Sequence, residues 1–210
     1  MSNILVFGDS IAHGDYDSEG GWVDRLKRRL KAMFLDGEIA DDIDVYNLCV
    51  DGDTSHQVLS RIKKETPQRV WSGQKTIFIL SFVINDAILK ENKPKVAPSV
   101  FLSNLNSIVK TARNYSNKII FVGPNPVEES KVTPMPWSKT EFYYNDRISK
   151  YNEALMEFCN KGKVDYINLL AMFNKLNYKN LLYDGCHPNT QGHEIIFNIV
   201  KSFLQEKKYI

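Results

Sequence analysis

The chain is short of cysteine, of any excess of charge and of long apolar runs, and each shortage removes a class of protein. Three cysteines, Cys49, Cys159 and Cys186, make neither an even disulfide framework nor a C-x-x-C metal pair. The expectation is reduced, packed thiols in a reducing compartment, which reads as cytoplasmic. Lys and Arg number 27 against 25 Asp and Glu, scattered among one another, for a net charge of +2. That balance speaks against a nucleic-acid partner and against an anionic membrane surface. No apolar run approaches the ~20 residues of a membrane helix, so no membrane insertion is expected. Met1-Ser2-Asn3 leads directly into a strand-like run with no basic or apolar leader, which adds to the cytoplasmic expectation. Repeats, low-complexity tracts and linker-like stretches are also missing, so residues 1–210 read as one domain.

What is present is an ordinary globular core supply, 43% apolar residues against 25% charged. A chain of this length buries roughly 70% of its unfolded surface and needs no disulfide or metal staple. Strand-like and helix-like segments alternate. The strands are predicted at 3–7 (NILVF), 44–50 (DVYNLCV), 76–84 (TIFILSFVI), 118–122 (KIIFV) and 164–169 (VDYINL), with 76–84 the strongest and central. Helical spacing marks Trp22 to Phe34, a segment starting at Thr54 or Ser55, one opened by Pro98, residues 141–160, and a last one from about Thr190. Such alternation implies right-handed βαβ units. The fold class is α/β, a three-layer α/β/α sandwich around a parallel sheet of about five strands.

Ligands of such sheets sit outside the carboxyl ends of the strands. Those ends here hold Gly8-Asp9-Ser10, Asp51-Gly52-Asp53-Thr54, Asn85-Asp86 and Gly123-Pro124-Asn125. The loop before the last helix reads YDGCHPNTQGH, with Asp184 and His187. One edge of the sheet thus collects a serine, a histidine, an aspartate, an amide and a glycine turn, the parts of a hydrolytic triad with an oxyanion hole.

The blocks FGDS, NLCVDGDTS, IND and DGCHPNTQGH, in order from residue 7 to residue 193, resemble the signature blocks of the SGNH, or GDSL-type, esterase and lipase superfamily. The resemblance implies a flavodoxin-like sheet and metal-free, cofactor-free hydrolysis of a small-molecule ester through an acyl-enzyme. It implies Ser10 as nucleophile, His187 as base and Asp184 as its orienting carboxylate. The implied oxyanion donors are the Ser10 N–H, the Gly52 N–H and the Asn85 side-chain amide. One position departs from the pattern: Val83 stands where the third block usually has glycine.

Other readings of the same residues remain open at this level. Val83 motivates a catalytically silent binding module on the same fold. Asp9, Asn85, Asp86 and His187 could instead serve a metal-dependent phosphoesterase. Asp9 and Asp86 otherwise read as acceptors that fix loops. Among the other histidines, His13 is expected at a loop or pocket rim, and His56 and His193 in structural or surface roles. The stretch from Pro124 to Trp137 holds four of the eight prolines and should overhang the site. Trp137, Phe142, Tyr143 and Tyr144 either wall a substrate pocket or pack that loop onto the domain. Substrate identity does not follow from the residues, though short acyl groups fit the mostly polar sequence better than long ones.

Overall fold

The computed structural model describes residues 2–210. Ile4, Leu5, Val6 and Phe7 are wholly buried because β1 (Ser2–Gly8) runs inside the sheet with helices over both faces. After β1 come α1 (Ser10–His13) and α2 (Gly21–Leu35), then β2 (Ile43–Asn47) and α3 (Ser55–Glu65). Next are β3 (Lys75–Ser81), the one-turn α4 (Val83–Asp86), two short strands, β4 (Leu89–Lys90) and β5 (Lys93–Pro94), and α5 (Pro98–Arg113). The chain continues through β6 (Ile119–Val122), α6 (Glu129–Val132), β7 (Glu141–Phe142) and α7 (Asn145–Gly162). It closes with β8 (Asp165–Ile167), α8 (Leu169–Phe173) and α9 (Thr190–Glu206).

The main sheet is parallel, five-stranded and ordered β2-β1-β3-β6-β8, with β3 in the middle as its sequence predicts. The chain steps outward from β1 to β2, then returns past β1 to β3 and continues the other way. This reversal puts α2 and α9 together in one layer and α3, α5 and α7 in the other. It also makes the carboxyl ends of β1 and β3 the switch point where a crevice opens.

Several element ends differ from the sequence expectation. The run 76–84 leaves the sheet at Ser81, and Val83 and Ile84 stay buried as a helical turn instead. A short apolar run carries no signal that separates these outcomes. Strand two is shorter than 44–50, although Leu48 N–H and Val50 N–H still donate to the carbonyls of Val6 and Gly8 at 2.8 and 3.0 Å. The last strand closes at Ile167, because Asn168 turns the chain by capping α8, its side chain accepting from the Ala171 N–H. Residues 141–142 join a strand, and α7 begins only at Asn145. That strand, β7, pairs antiparallel with β4, which pairs with β5, in a small second sheet with no counterpart in the sequence reading.

Candidate active site

The site starts at the end of β1. A Cβ on Gly8 would lie 2.5 Å from the Ser81 carbonyl oxygen and 2.6 Å from the Ala12 Cβ, so only glycine lets β1 turn this tightly into α1. Asp9 caps that helix, its Oδ1 accepting from the Ile11 N–H at 3.0 Å. Ser10 is therefore the first helical residue, and its own N–H has no acceptor within the helix.

His187 arrives from the opposite end of the chain. Its loop is closed by the Tyr183 N–H donating to the His187 carbonyl at 2.8 Å, with Gly185 at φ 95°. Asp184 Oδ1 accepts from the N–H groups of Cys186 and His187, both at 2.9 Å. Asp184 Oδ2 faces His187 Nδ1 at 2.7 Å, and His187 Nε2 lies 2.9 Å from Ser10 Oγ. An Nδ1–H donated to the carboxylate leaves Nε2 free to accept the serine proton. Burial alone would push the Asp184 carboxyl up, but the hydrogen bonds from the His187 ring and the two backbone N–H groups outweigh it and hold the carboxyl below its usual range. Ser10 and His187 keep 9% and 8% exposure, enough to meet a ligand at the surface while water is largely displaced.

Two further groups face this edge. Gly52 has φ 75° with open space where a Cβ would stand, so its left-handed turn, not crowding, calls for glycine. Asn85, on α4, donates one Nδ2–H to the Asp53 carbonyl at 3.1 Å, and its Oδ1 accepts from the Tyr143 hydroxyl at 2.7 Å. One amide proton remains. Val83 does not stand at the open edge. It is 2% exposed and lines, with Asp9, Val122 and Asn125, a cavity of only about 10 Å³ beneath the site.

The remaining acids are tied to backbone. Asp86 accepts from the Ser55 N–H and hydroxyl at 2.9 and 2.5 Å, joining α4 to the start of α3. Burial raises both Asp9 and Asp86 to about 7. Among the described residues, the His, Cys, Asp and Glu side chains that converge within metal-ligand reach are His13, Asp15 and Asp51, mostly exposed. His13 lies on that surface, 2.8 Å from Asp15 Oδ1 and 3.4 Å from Asp51 Oδ1. His56 is exposed on α3, and His193 is buried with Nε2 3.2 Å from the Asp15 carbonyl.

The proline-rich loop does reach the histidine loop: Glu128 N–H donates to the Gly185 carbonyl at 2.7 Å. The Trp137 ring, 51% exposed, lies 5.6 Å from the His187 ring. Tyr143 is different. At 4% exposure it walls no open pocket, because its hydroxyl points inward to Asn85. Phe142 and Tyr144 stack on each other at 6.4 Å. Sequence reasoning missed Tyr16 and Tyr183, both solvent-exposed, stacked at 4.5 Å, with Tyr16 5.1 Å from the His187 ring. Tyr183 adjoins Asp184, a signal that adjacency offered. Tyr16, in an irregular loop, offered none.

The profile of the GDSL-like Lipase/Acylhydrolase family matches residues 6–195. An isoamyl acetate-hydrolyzing esterase of Saccharomyces cerevisiae is 24% identical over 221 residues, covering 97% of this chain and 87% of its own. Two solved structures share the fold. A lipase/acylhydrolase from Enterococcus faecalis has TM-score 0.78 at 23% identity, covering 99% of this chain and 97% of its own. An acetylxylan esterase from Geobacillus stearothermophilus has TM-score 0.73 at 20% identity, covering 98% and 93%.

Proposed function

The chain belongs to the GDSL-like lipase/acylhydrolase family and is a carboxylic ester hydrolase, and from that premise we propose that it cleaves short-acyl esters through a covalent acyl-enzyme on Ser10. Ser10 Oγ attacks the ester carbonyl carbon as His187 Nε2 takes the hydroxyl proton. Asp184, ionised and bonded to Nδ1–H, stabilises the imidazolium that forms. The carbonyl oxygen gathers negative charge, which in this reading the Ser10 N–H, the Gly52 N–H and the free Asn85 Nδ2–H stabilise. Collapse of the tetrahedral intermediate breaks the bond to the alcohol oxygen, and His187 returns its proton to that oxygen. Water, deprotonated by the same imidazole, then attacks the acyl carbon and releases the acid and the free serine.

The observation that carries this reading is the unbroken chain Ser10 Oγ to His187 Nε2 at 2.9 Å and His187 Nδ1 to Asp184 at 2.7 Å. Short acyl groups are supported by the yeast relative, which acts on isoamyl acetate, and by the acetylxylan esterase that shares the fold. A cytoplasmic setting is supported by three unpaired, buried cysteines. Among the described residues no helix is long and apolar enough to cross a membrane.

The test is Ser10→Ala assayed on 4-nitrophenyl acetate beside wild type, with circular dichroism to show that both are folded. Loss of a nucleophile that acts with its base should lower kcat by at least about a thousandfold. A folded variant that keeps more than about a tenth of the wild-type rate overturns the acyl-enzyme.

A further inference from the structure

We propose that Tyr143 is a positioning residue for the oxyanion hole, holding and polarising the Asn85 amide through a hydrogen bond to its Oδ1. The inference rests on the reading of Asn85 as an oxyanion donor and adds to it a residue that touches no reacting atom.

An asparagine side chain has a rotatable amide with two donors and one acceptor. To meet a developing oxyanion, its Nδ2–H must stay aimed before the charge appears, because reorganisation during reaction forfeits most of the benefit. Asn85 is held at both ends. The Asp53 carbonyl takes one amide proton at 3.1 Å, and the Tyr143 hydroxyl donates to Oδ1 at 2.7 Å. A donor on Oδ1 draws charge toward the oxygen and makes the remaining N–H a stronger donor.

Tyr143 is itself immobilised. Its N–H donates to the Val132 carbonyl at 3.2 Å, and its carbonyl accepts from the Thr133 hydroxyl at 2.7 Å. The preceding residue, Phe142, pairs with Leu89 in the small sheet, four residues past Asn85. Glu141 Oε1 beside it lies 3.4 Å from Lys90 Nζ and 3.7 Å from Lys95 Nζ. The small sheet therefore joins the segment carrying the amide to the segment carrying the phenol. Burial raises the phenol well above its ordinary range, so it remains an O–H donor across the working pH.

The experiment is a double-mutant cycle on 4-nitrophenyl acetate with wild type, Tyr143→Phe, Asn85→Ala and the double variant. Tyr143→Phe should lower kcat about tenfold while KM changes less than about twofold, a share of the hundredfold or more that one oxyanion donor supplies. The same change in the Asn85→Ala background should cost less than about twofold, because the group it positions is gone. A large Asn85→Ala loss with Tyr143→Phe near wild type overturns the positioning role alone. So does an equal Tyr143→Phe loss in both backgrounds, the mark of a merely structural residue. An Asn85→Ala rate within about threefold of wild type overturns the oxyanion reading and this role with it. Should Tyr143→Phe not fold, 3-fluorotyrosine placed at position 143 keeps the size and hydroxyl and strengthens the donor. The Asn85 side-chain amide resonance should then move, and an unmoved resonance rejects the hydrogen bond.

Discussion

Around Ser10, carboxylates of one chemical type are set to opposite behaviours by their surroundings. Asp184 accepts from an imidazole and two backbone N–H groups and is held ionised, whereas Asp9, the residue next to the same serine, is buried so deeply that its carboxyl rises from 3.8 to about 7. Between these two values folded Asp9 keeps a proton that the unfolded chain has released. Its contribution to stability is thus complete below about pH 4 and declines as pH rises toward 7, at about 1.4 kcal/mol per pH unit. Asp184 acts in the other direction, its contribution being present above the unfolded value and lost only at lower pH. Asp9→Asn keeps an oxygen to cap Ile11 and removes the ionisation. Urea unfolding at pH 5 and pH 7 should show wild type losing stability with rising pH and the variant losing less, by up to one proton's worth. Equal losses would mean that Asp9 does not titrate in that window.

At the scale of elements, the turn from β1 to α1 converts an apolar strand into a presented hydroxyl. Gly8 is its tightest point, since a methyl group there meets the Ser81 carbonyl and Ala12 at 2.5 and 2.6 Å. Gly8→Ala must push α1 away from β3 and carry Ser10 off its line to His187. Overpacking of this kind costs about 1–3 kcal/mol, a fall in Tm of roughly 2–12 °C for a chain of this length. Thermal melting together with the rate on 4-nitrophenyl acetate reads both consequences. An unchanged Tm and an unchanged kcat would show that the turn has slack. Gly52 contrasts with it, since open space surrounds its missing side chain and only φ 75° constrains it.

For the whole molecule, the edge of the sheet gathers parts from every section of the chain. Tyr16 and Trp137 come from two separate loops to lie against the His187 ring, and Tyr183, from the histidine's own loop, stacks on Tyr16; each of the three is about half exposed or more. On the proposed function, these exposed aromatic faces beside Ser10 are expected to bind the body of the substrate. Trp137→Ala and Tyr183→Ala should each raise KM for acetate esters about three- to tenfold with kcat within about twofold, since the change removes binding common to ground and transition states. Steady-state kinetics on acetate esters of differing alcohol check this, and unchanged KM across the series would assign the rings to loop packing.

Much of this was legible in the residues. Continuous apolar runs mark doubly covered strands, their alternation with helical spacing dictates a parallel sheet, and the topology rule then names the edge where Ser10, Gly52, Asn85, Asp184 and His187 fall. These are local or near-local signals, carried by periodicity and by glycine, proline and aspartate at turns. The fate of Phe82 to Ile84, the small sheet of β4, β5 and β7, and the inward turn of Tyr143 were decided only by tertiary structure. A short apolar run packs equally well as strand or helix, and a two-residue strand has no period to detect. An aromatic side chain in a loop faces water or an asparagine according to what the rest of the fold brings beside it.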